Sequence, residues 1–419
     1  MRVRTVCHCF LLTVSLLLTL PSHVTGQAGQ LDPSFGQGGI VTTDFGSGGG
    51  TANAVAIQPD GKIVVCGGVG GSTGFPIAAV ARYNPDGSLD TGFGTAGITS
   101  VPGILNVPSS IALQSDGKIV VAAFYNQITV MRFKANGYLD STFGNYGVFS
   151  TGFLFSSGRQ SGVGVLPDGR IVVAGGPRLL GLLPNGTLDP TFGTAGSAPL
   201  AGDAPTALAL LSSGKILVAG AGPSTDAGSS SGSIARYNSN GSLDKSFGIN
   251  GQVGTTGPAY AMVLASGEFL LAGNLASSLS ISVGPTVGFA VSRYQGFGAV
   301  DGKFAIHGGV VTPIAGFPVL LTSGVGVQSS GDIVTLATAT ATAPPQSFAL
   351  ARYTPNGQLD PTFGAGGTVV TSFSGASAIA ANGLAIQPDG NIVAVGSFTI
   401  YGNHGQVDSG FKLIRYLGR

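Results

Sequence analysis

The chain has 419 residues, of which 71 are Gly, 9% are charged and 43% are hydrophobic, with no Trp and a formal net charge of +1. Disordered chains are rich in charge and poor in apolar residues, so disorder is excluded; no Gly period of three appears, which excludes collagen, and three Cys cannot build a disulfide scaffold. The near-neutral charge leaves no basic footprint for nucleic acid.

The first element in chain order is a targeting segment. Arg2 and Arg4 precede an apolar run from Phe10 to Leu20, and Val24 and Gly26 place small residues before Gln27. This pattern predicts a secretory signal peptide over 1–26, with a run too short to cross a bilayer. No second long apolar stretch follows, so no membrane span is expected. The remainder, 27–419, is expected to be one exported domain, secreted or periplasmic. Loss of the segment would remove Cys7 and Cys9 and leave Cys66.

The remainder repeats. Leu-Asp-x-x-Phe-Gly begins at Leu31, Leu89, Leu139, Leu188, Leu243 and Leu359, with a degenerate copy at Val300. A turn Gly after an apolar strand recurs at Gly61, Gly117, Gly169, Gly214, Gly267, Gly331 and Gly390. Both motifs return about every 55 residues, and two motifs sharing one period mark a true repeat. Arg-Tyr or Arg-Phe precedes the first motif at Arg82, Arg132, Arg236, Arg293 and Arg352, and returns at Arg415; the third repeat has Gly181-Leu182 instead.

Each repeat reads as four short strands, A to D. In the first, A runs from Ala52 to Gln58, B from Lys62 to Gly67, C from Ile77 to Tyr83 and D from Gly97 to Val101. Asp60-Gly61 between A and B is a strong hairpin signal, because Gly supplies the positive φ the turn needs. No helical period of useful length appears after the signal peptide. Helix-free four-stranded units predict an all-β, seven-bladed β-propeller. An open β-solenoid is the alternative, but its repeats are usually shorter. The phase of the repeat makes a sharper prediction. The chain after the signal peptide starts with a strand D (Gly39 to Thr43) and finishes after a strand C (Phe411 to Tyr416), so the N-terminal strand should complete the last blade and close the ring.

The run Ala81-Arg82-Tyr83-Asn84-Pro85-Asp86-Gly87-Ser88-Leu89-Asp90, with Phe93-Gly94, resembles the delta-60 repeat of bacterial secreted and surface proteins. Ile57-Gln58-Pro59-Asp60-Gly61-Lys62-Ile63-Val64-Val65 resembles its other half. The resemblance covers essentially all of 27–419. It implies a β-propeller of bacterial origin and brings no catalytic residues with it. Gly181 and the degenerate fifth copy depart from the pattern and put local blade regularity in doubt there.

Most of the candidate chemistry reads as structural. Asp32, Asp90, Asp140, Asp189, Asp244, Asp301 and Asp360 recur once per repeat, where Asp side chains cap turns by accepting backbone N–H groups. Pairing with the motif Arg is a secondary role, since Asp189 persists where the Arg is missing. Asp44, Asp203, Asp226 and Asp408 lie outside the pattern. His307 reads as a solvated turn residue, and Cys66, in a strand B, as a buried inert thiol. No Asp-x-Asp calcium loop, phosphate-binding loop or Cys-x-x-Cys occurs, so neither metal nor cofactor is expected. No catalytic residue is assigned.

Topology directs attention elsewhere. The repeated motifs fall on the A–B and C–D turns of one face, while the B–C and D–A connections of the other face vary. Loops on a rigid scaffold commonly carry function. The side chains of binding character there are Phe153, Phe155, Arg159, Phe317, Tyr401, His404 and Asp408, the last three within one expected loop from Ser397 to Gly410. The sequence points to a monomeric, non-enzymatic binding or scaffold module with a cell-wall, glycan or protein ligand on this variable face. The alternative is a hydrolase or lyase using the central funnel.

Overall fold

The computed structural model describes residues 26–45, 49–70, 76–104, 106–124, 127–152, 162–201, 204–221, 232–255, 259–265, 267–275, 288–341, 346–373, 376, 378–401 and 407–419. Among these there are 28 strands and no helix, arranged as seven antiparallel four-stranded sheets, the blades of a seven-bladed β-propeller. Blade 1 is β2 (Gly50–Ile57), β3 (Ile63–Gly70), β4 (Pro76–Tyr83) and β5 (Ile98–Val101); blade 2 is β6 (Pro108–Leu113), β7 (Ile119–Phe124), β8 (Ile128–Phe133) and β9 (Val148–Ser150). Blade 3 is β10 (Gly162–Val165), β11 (Ile171–Gly175), β12 (Arg178–Leu182) and β13 (Ser197–Pro199); blade 4 is β14 (Ala204–Leu210), β15 (Ile216–Ala221), β16 (Gly232–Tyr237) and β17 (Gln252–Thr255). Blade 5 is β18 (Ala259–Ala265), β19 (Glu268–Leu275), β20 (Gly288–Gln295) and β21 (Gly309–Thr312); blade 6 is β22 (Val319–Val327), β23 (Ile333–Thr340), β24 (Ser347–Tyr353) and β25 (Thr368–Ser372). Blade 7 is β26 (Ala378–Ile386), β27 (Ile392–Tyr401), β28 (Val407–Tyr416) and, from the other end of the chain, β1 (Ile40–Asp44).

The closure follows the expected phase. β1 pairs antiparallel with β28, with Ile40 opposite Ile414 and Thr43 opposite Phe411. The turn between them is rebuilt without a covalent link. Gly29 N–H donates to Leu417 O at 2.8 Å and Leu417 N–H to Gln30 O at 2.8 Å, matching Gly87 to Asn84 and Asn84 to Ser88 in blade 1. Gly29 has φ +86° where Gly87 has +89°, a left-handed conformation that a side chain would strain. Both chain ends therefore complete one ordinary C–D turn.

The core is divided among the junctions. Seven clusters of buried apolar side chains each join two neighbouring blades. In β3, Ile63 and Val65 pack toward blade 7 while Val64 and Cys66 pack toward blade 2. A strand buried on both faces has no polar alternation, which explains the apolar runs at the start of strands B such as Ile63 to Cys66 and Ile119 to Ala123. Blade 3 is a complete four-stranded sheet despite Gly181, and blade 5 despite its degenerate motif. Strands β27 and β28 run past the expected Ser397 boundary, pairing Ile400 with Asp408 and Tyr401 with Val407. The apolar run Phe398-Thr399-Ile400-Tyr401 favours strand, so Tyr401 and Asp408 stand on a hairpin stem instead of in a long loop.

Candidate functional site

Two rings of polar groups organise the molecule, one around its centre and one at the motif face. The innermost strands β2, β6, β10, β14, β18, β22 and β26 surround a channel with a cavity of about 220 Å³. Six of them carry a β-bulge at the same register, at Asn53, Ser109, Thr206, Tyr260, Ser323 and Asn382. A bulge adds an unpaired residue and re-aims its side chain. Each of these residues lines the channel and each is polar. Several also reach to the next blade. Asn53 Nδ2 donates to Pro108 O at 2.9 Å, Asn382 Nδ2 to Ala52 O at 2.8 Å, and Thr206 Oγ1 to Ala259 O. In every case the acceptor belongs to the residue just before the next bulge. Ser323 Oγ is buried and makes no hydrogen bond. The described lining contains amide, hydroxyl and apolar groups, and no carboxylate, imidazole, ammonium or guanidinium group.

The second ring is charged and latches each blade to its neighbour. In blade 1, Arg82 Nε donates to Asp90 Oδ2 at 2.7 Å and Nη1 to Ala135 O of blade 2 at 2.6 Å, while its guanidinium carbon lies 4.6 Å from the Phe93 ring centroid. Asp90 Oδ1 accepts the amide of Gly92. The set recurs as Arg132–Asp140, Arg236–Asp244, Arg293–Asp301, Arg352–Asp360 and Arg415–Asp32. Their second arms reach the carbonyls of Pro184, Gly296, Pro355, Gly418 and Pro85. Repeat Arg and Asp are nearly all buried, so a charged pair, a carbonyl and a ring face satisfy each other away from water.

These contacts set the ionisation of the aspartates. Burial opposes the charge of Asp32, Asp140 and Asp360, but the hydroxyl and amide of the residue two positions on, together with the motif Arg, outweigh it and hold each carboxyl below its ordinary value. At Asp90 the Lys62 ammonium contributes most, and at Asp301 the Lys303 amide.

Blade 3 solves the loss of its Arg by substitution from another strand. Arg170, at the turn position where blades 1, 2 and 4 carry Lys62, Lys118 and Lys215, donates from Nη1 to Asp189 Oδ2 at 3.2 Å and to Ser239 O of blade 4 at 3.3 Å. A Cβ on Gly181 would lie 2.6 Å from Phe192 Cβ, so Phe192 fills the space in which an Arg side chain would begin. The one Arg among Lys at that turn is the signal that sequence reasoning passed over. Asp189 thus keeps a cation as well as its cap from Thr191.

The residues expected on the variable face are only partly described. Phe153, Phe155, Arg159 and His404, and also Asp203 and Asp226, lie outside the described residues. Phe317 is half-buried, its amide bonded to Ile314 O, and it packs against the blade 5–6 core. His307 is exposed, in a left-handed turn position. Cys66 is buried, and burial pushes its thiol up to about 12. Among the described residues no group of three His, Cys, Asp or Glu could hold a metal ion, and no helix is long and apolar enough to cross a membrane.

Comparison with known proteins fits this architecture. Residues 58–93, 114–143, 166–192, 211–247 and 328–363 each match the family described as a domain of unknown function (DUF5122) beta-propeller. The matches support a propeller repeat family. The chain is similar to a catalytically inactive virginiamycin B lyase from Staphylococcus aureus, solved with quinupristin, at 12% identity and a TM-score of 0.50, covering 90% of this chain and 98% of that one. It is also similar to a putative gluconolactonase, at 13% identity and a TM-score of 0.39, covering 94% and 99%. At 12% identity the likeness to the lyase is one of fold alone. Comparison with curated proteins finds no match.

Proposed function

We propose that this chain is an exported, non-enzymatic binding module of the delta-60 type, and that its ligand is a neutral glycan. The observation that carries this reading is the chemistry of the channel. Amides and hydroxyls from the bulged strands offer donors and acceptors that match sugar hydroxyls, and the described lining holds no acid–base pair of the kind hydrolysis or elimination requires. The buried motif Arg and Asp side chains, among the described residues, are committed to latching blades. We assign the remaining contacts to the variable face, the side of the B–C and D–A connections.

A glycan array with the folded chain tests this. Saturable binding of neutral oligosaccharides, weakened by Asn382→Ala without loss of fold, is the expected result. No binding across neutral glycans, with capture of charged ones only, would overturn the ligand class.

A further inference from the structure

The seven junctions between blades serve as controls for one another, and one of them differs. The second residue after the Gly that opens strand D faces the next blade. It is Val41, Thr99, Phe149, Val253, Val310 or Val369 in six blades and Ala198 in blade 3. The larger side chains fill the junction. Val41 Cγ2 lies 2.7 Å from where a Cβ on Gly87 would stand, and Val253 Cγ2 is equally close at Gly298. Thr99 Oγ1 donates to Gly137 O at 2.9 Å.

Two residues further on, a second departure reinforces the first. Thr43 Oγ1 meets the buried Tyr83 hydroxyl at 2.7 Å, and Thr371 Oγ1 meets that of Tyr416 at 2.9 Å. Blade 3 has Leu200 at this position and blade 1 has Val101, but blade 2 carries Phe133 in place of the tyrosine, so Tyr237 is the one such tyrosine whose preceding blade lacks the Thr. The Tyr237 hydroxyl of blade 4 instead accepts the Ala201 amide at 2.7 Å, which leaves its own proton to donate. At this junction lies a cleft of about 300 Å³, lined by Thr194, Ala198, Pro199, Leu200, Tyr237 and Leu243 among others.

We propose that this cleft binds a small organic molecule of one or two rings, mainly apolar, carrying one hydrogen-bond acceptor for Tyr237. An apolar cavity of roughly 150 Å³ suffices for benzene, and ligand pockets begin at roughly 300 Å³. The walls are mostly apolar, which selects against charge, while the Tyr237 proton selects for an acceptor. The site does not depend on the glycan reading, since it lies at the junction between two blades and shares no residue with the channel lining.

Quinoline is a suitable probe, with two fused rings and one acceptor nitrogen. Saturation-transfer NMR and calorimetry should show saturable, millimolar or tighter binding to the full chain. Ala198→Phe, which copies Phe149 of blade 2, should abolish it. Ala198→Val, which copies blades 4 to 7, should weaken it and remains informative if the Phe variant does not fold. Tyr237→Phe should weaken binding about threefold to tenfold, the value of one hydrogen bond, and should remove the preference for quinoline over naphthalene. Absence of saturable binding to the wild type, or equal affinity in a folded Ala198→Val or Ala198→Phe variant, would overturn the proposal.

Discussion

Replacing Arg132 by Ala isolates what the latch contributes. The Arg132 and Asp140 side chains are only 7% and 2% exposed, so the substitution strands a buried carboxylate. Breaking such a pair from one side costs about 3–5 kcal/mol. Thr142 would still donate to Asp140 through its amide at 3.2 Å and its hydroxyl at 2.7 Å, which favours the lower part of that range. Pro184 O would lose its partner and Phe143 its stacked cation, which moves the cost back up. The entropy of unfolding for 419 residues is about 0.9 kcal/mol/K, so the melting temperature should fall by about 3–6 °C. Adding Asp140→Asn should recover at least about 1 kcal/mol, because the stranded charge is gone. Arg170→Ala should cost less, about 1–3 kcal/mol, since Arg170 is 23% exposed. Lys118→Ala, at an exposed pair, sets the baseline at about 0–1 kcal/mol. Differential scanning calorimetry on the four variants is the assay. An Arg132→Ala melting temperature no lower than that of Lys118→Ala would refute the latch.

Further outcomes follow from the same contacts. The repeat aspartates have folded pKa values below their ordinary 3.8, so the unfolded chain takes up protons first on acidification. Their contribution is therefore complete above that value and lost as pH falls through the lower folded values: melting temperature should hold steady down to about pH 5 and drop below about pH 4, and a decline that begins at neutral pH would contradict this. Ala96, Tyr146 and Ala195 occupy left-handed turn positions with φ of 52°, 51° and 51°, where blades 7 and 6 use Gly38 and Gly366. Replacing any one by Gly should stabilise by about 0.5–1 kcal/mol in chemical denaturation, and a destabilisation would count against the strain argument. Cys66 should resist a disulfide reagent such as dithionitrobenzoate in the native state and react only on unfolding; rapid native labelling would contradict its burial.

Sequence periodicity was enough for the blade count, the strand order within each blade and the closure by β1, because each depends on short-range turn chemistry repeated many times. Asp60-Gly61 and Leu89-Asp90 mark their turns wherever they occur. The compensation in blade 3 was not legible. Arg170 reaches Asp189 across two strands, and nothing in their linear separation marks the pair. The channel ring was equally hidden. Asn53, Ser109, Thr206, Tyr260, Ser323 and Asn382 are of four residue types, and only a common bulge makes them equivalent. The expected loop from Ser397 to Gly410 is too long, because β27 continues through the β-forming run Phe398-Thr399-Ile400-Tyr401.

The account rests on binding without chemistry, and the fate of a bound ligand tests that most directly. Neutral oligosaccharides retained by the folded chain would be held for hours at neutral pH, released by denaturation and weighed by mass spectrometry. The account predicts recovery of every retained species at its starting mass. Products of hydrolysis or of β-elimination, formed by the intact chain and absent with unfolded protein, would contradict it and make the propeller an enzyme.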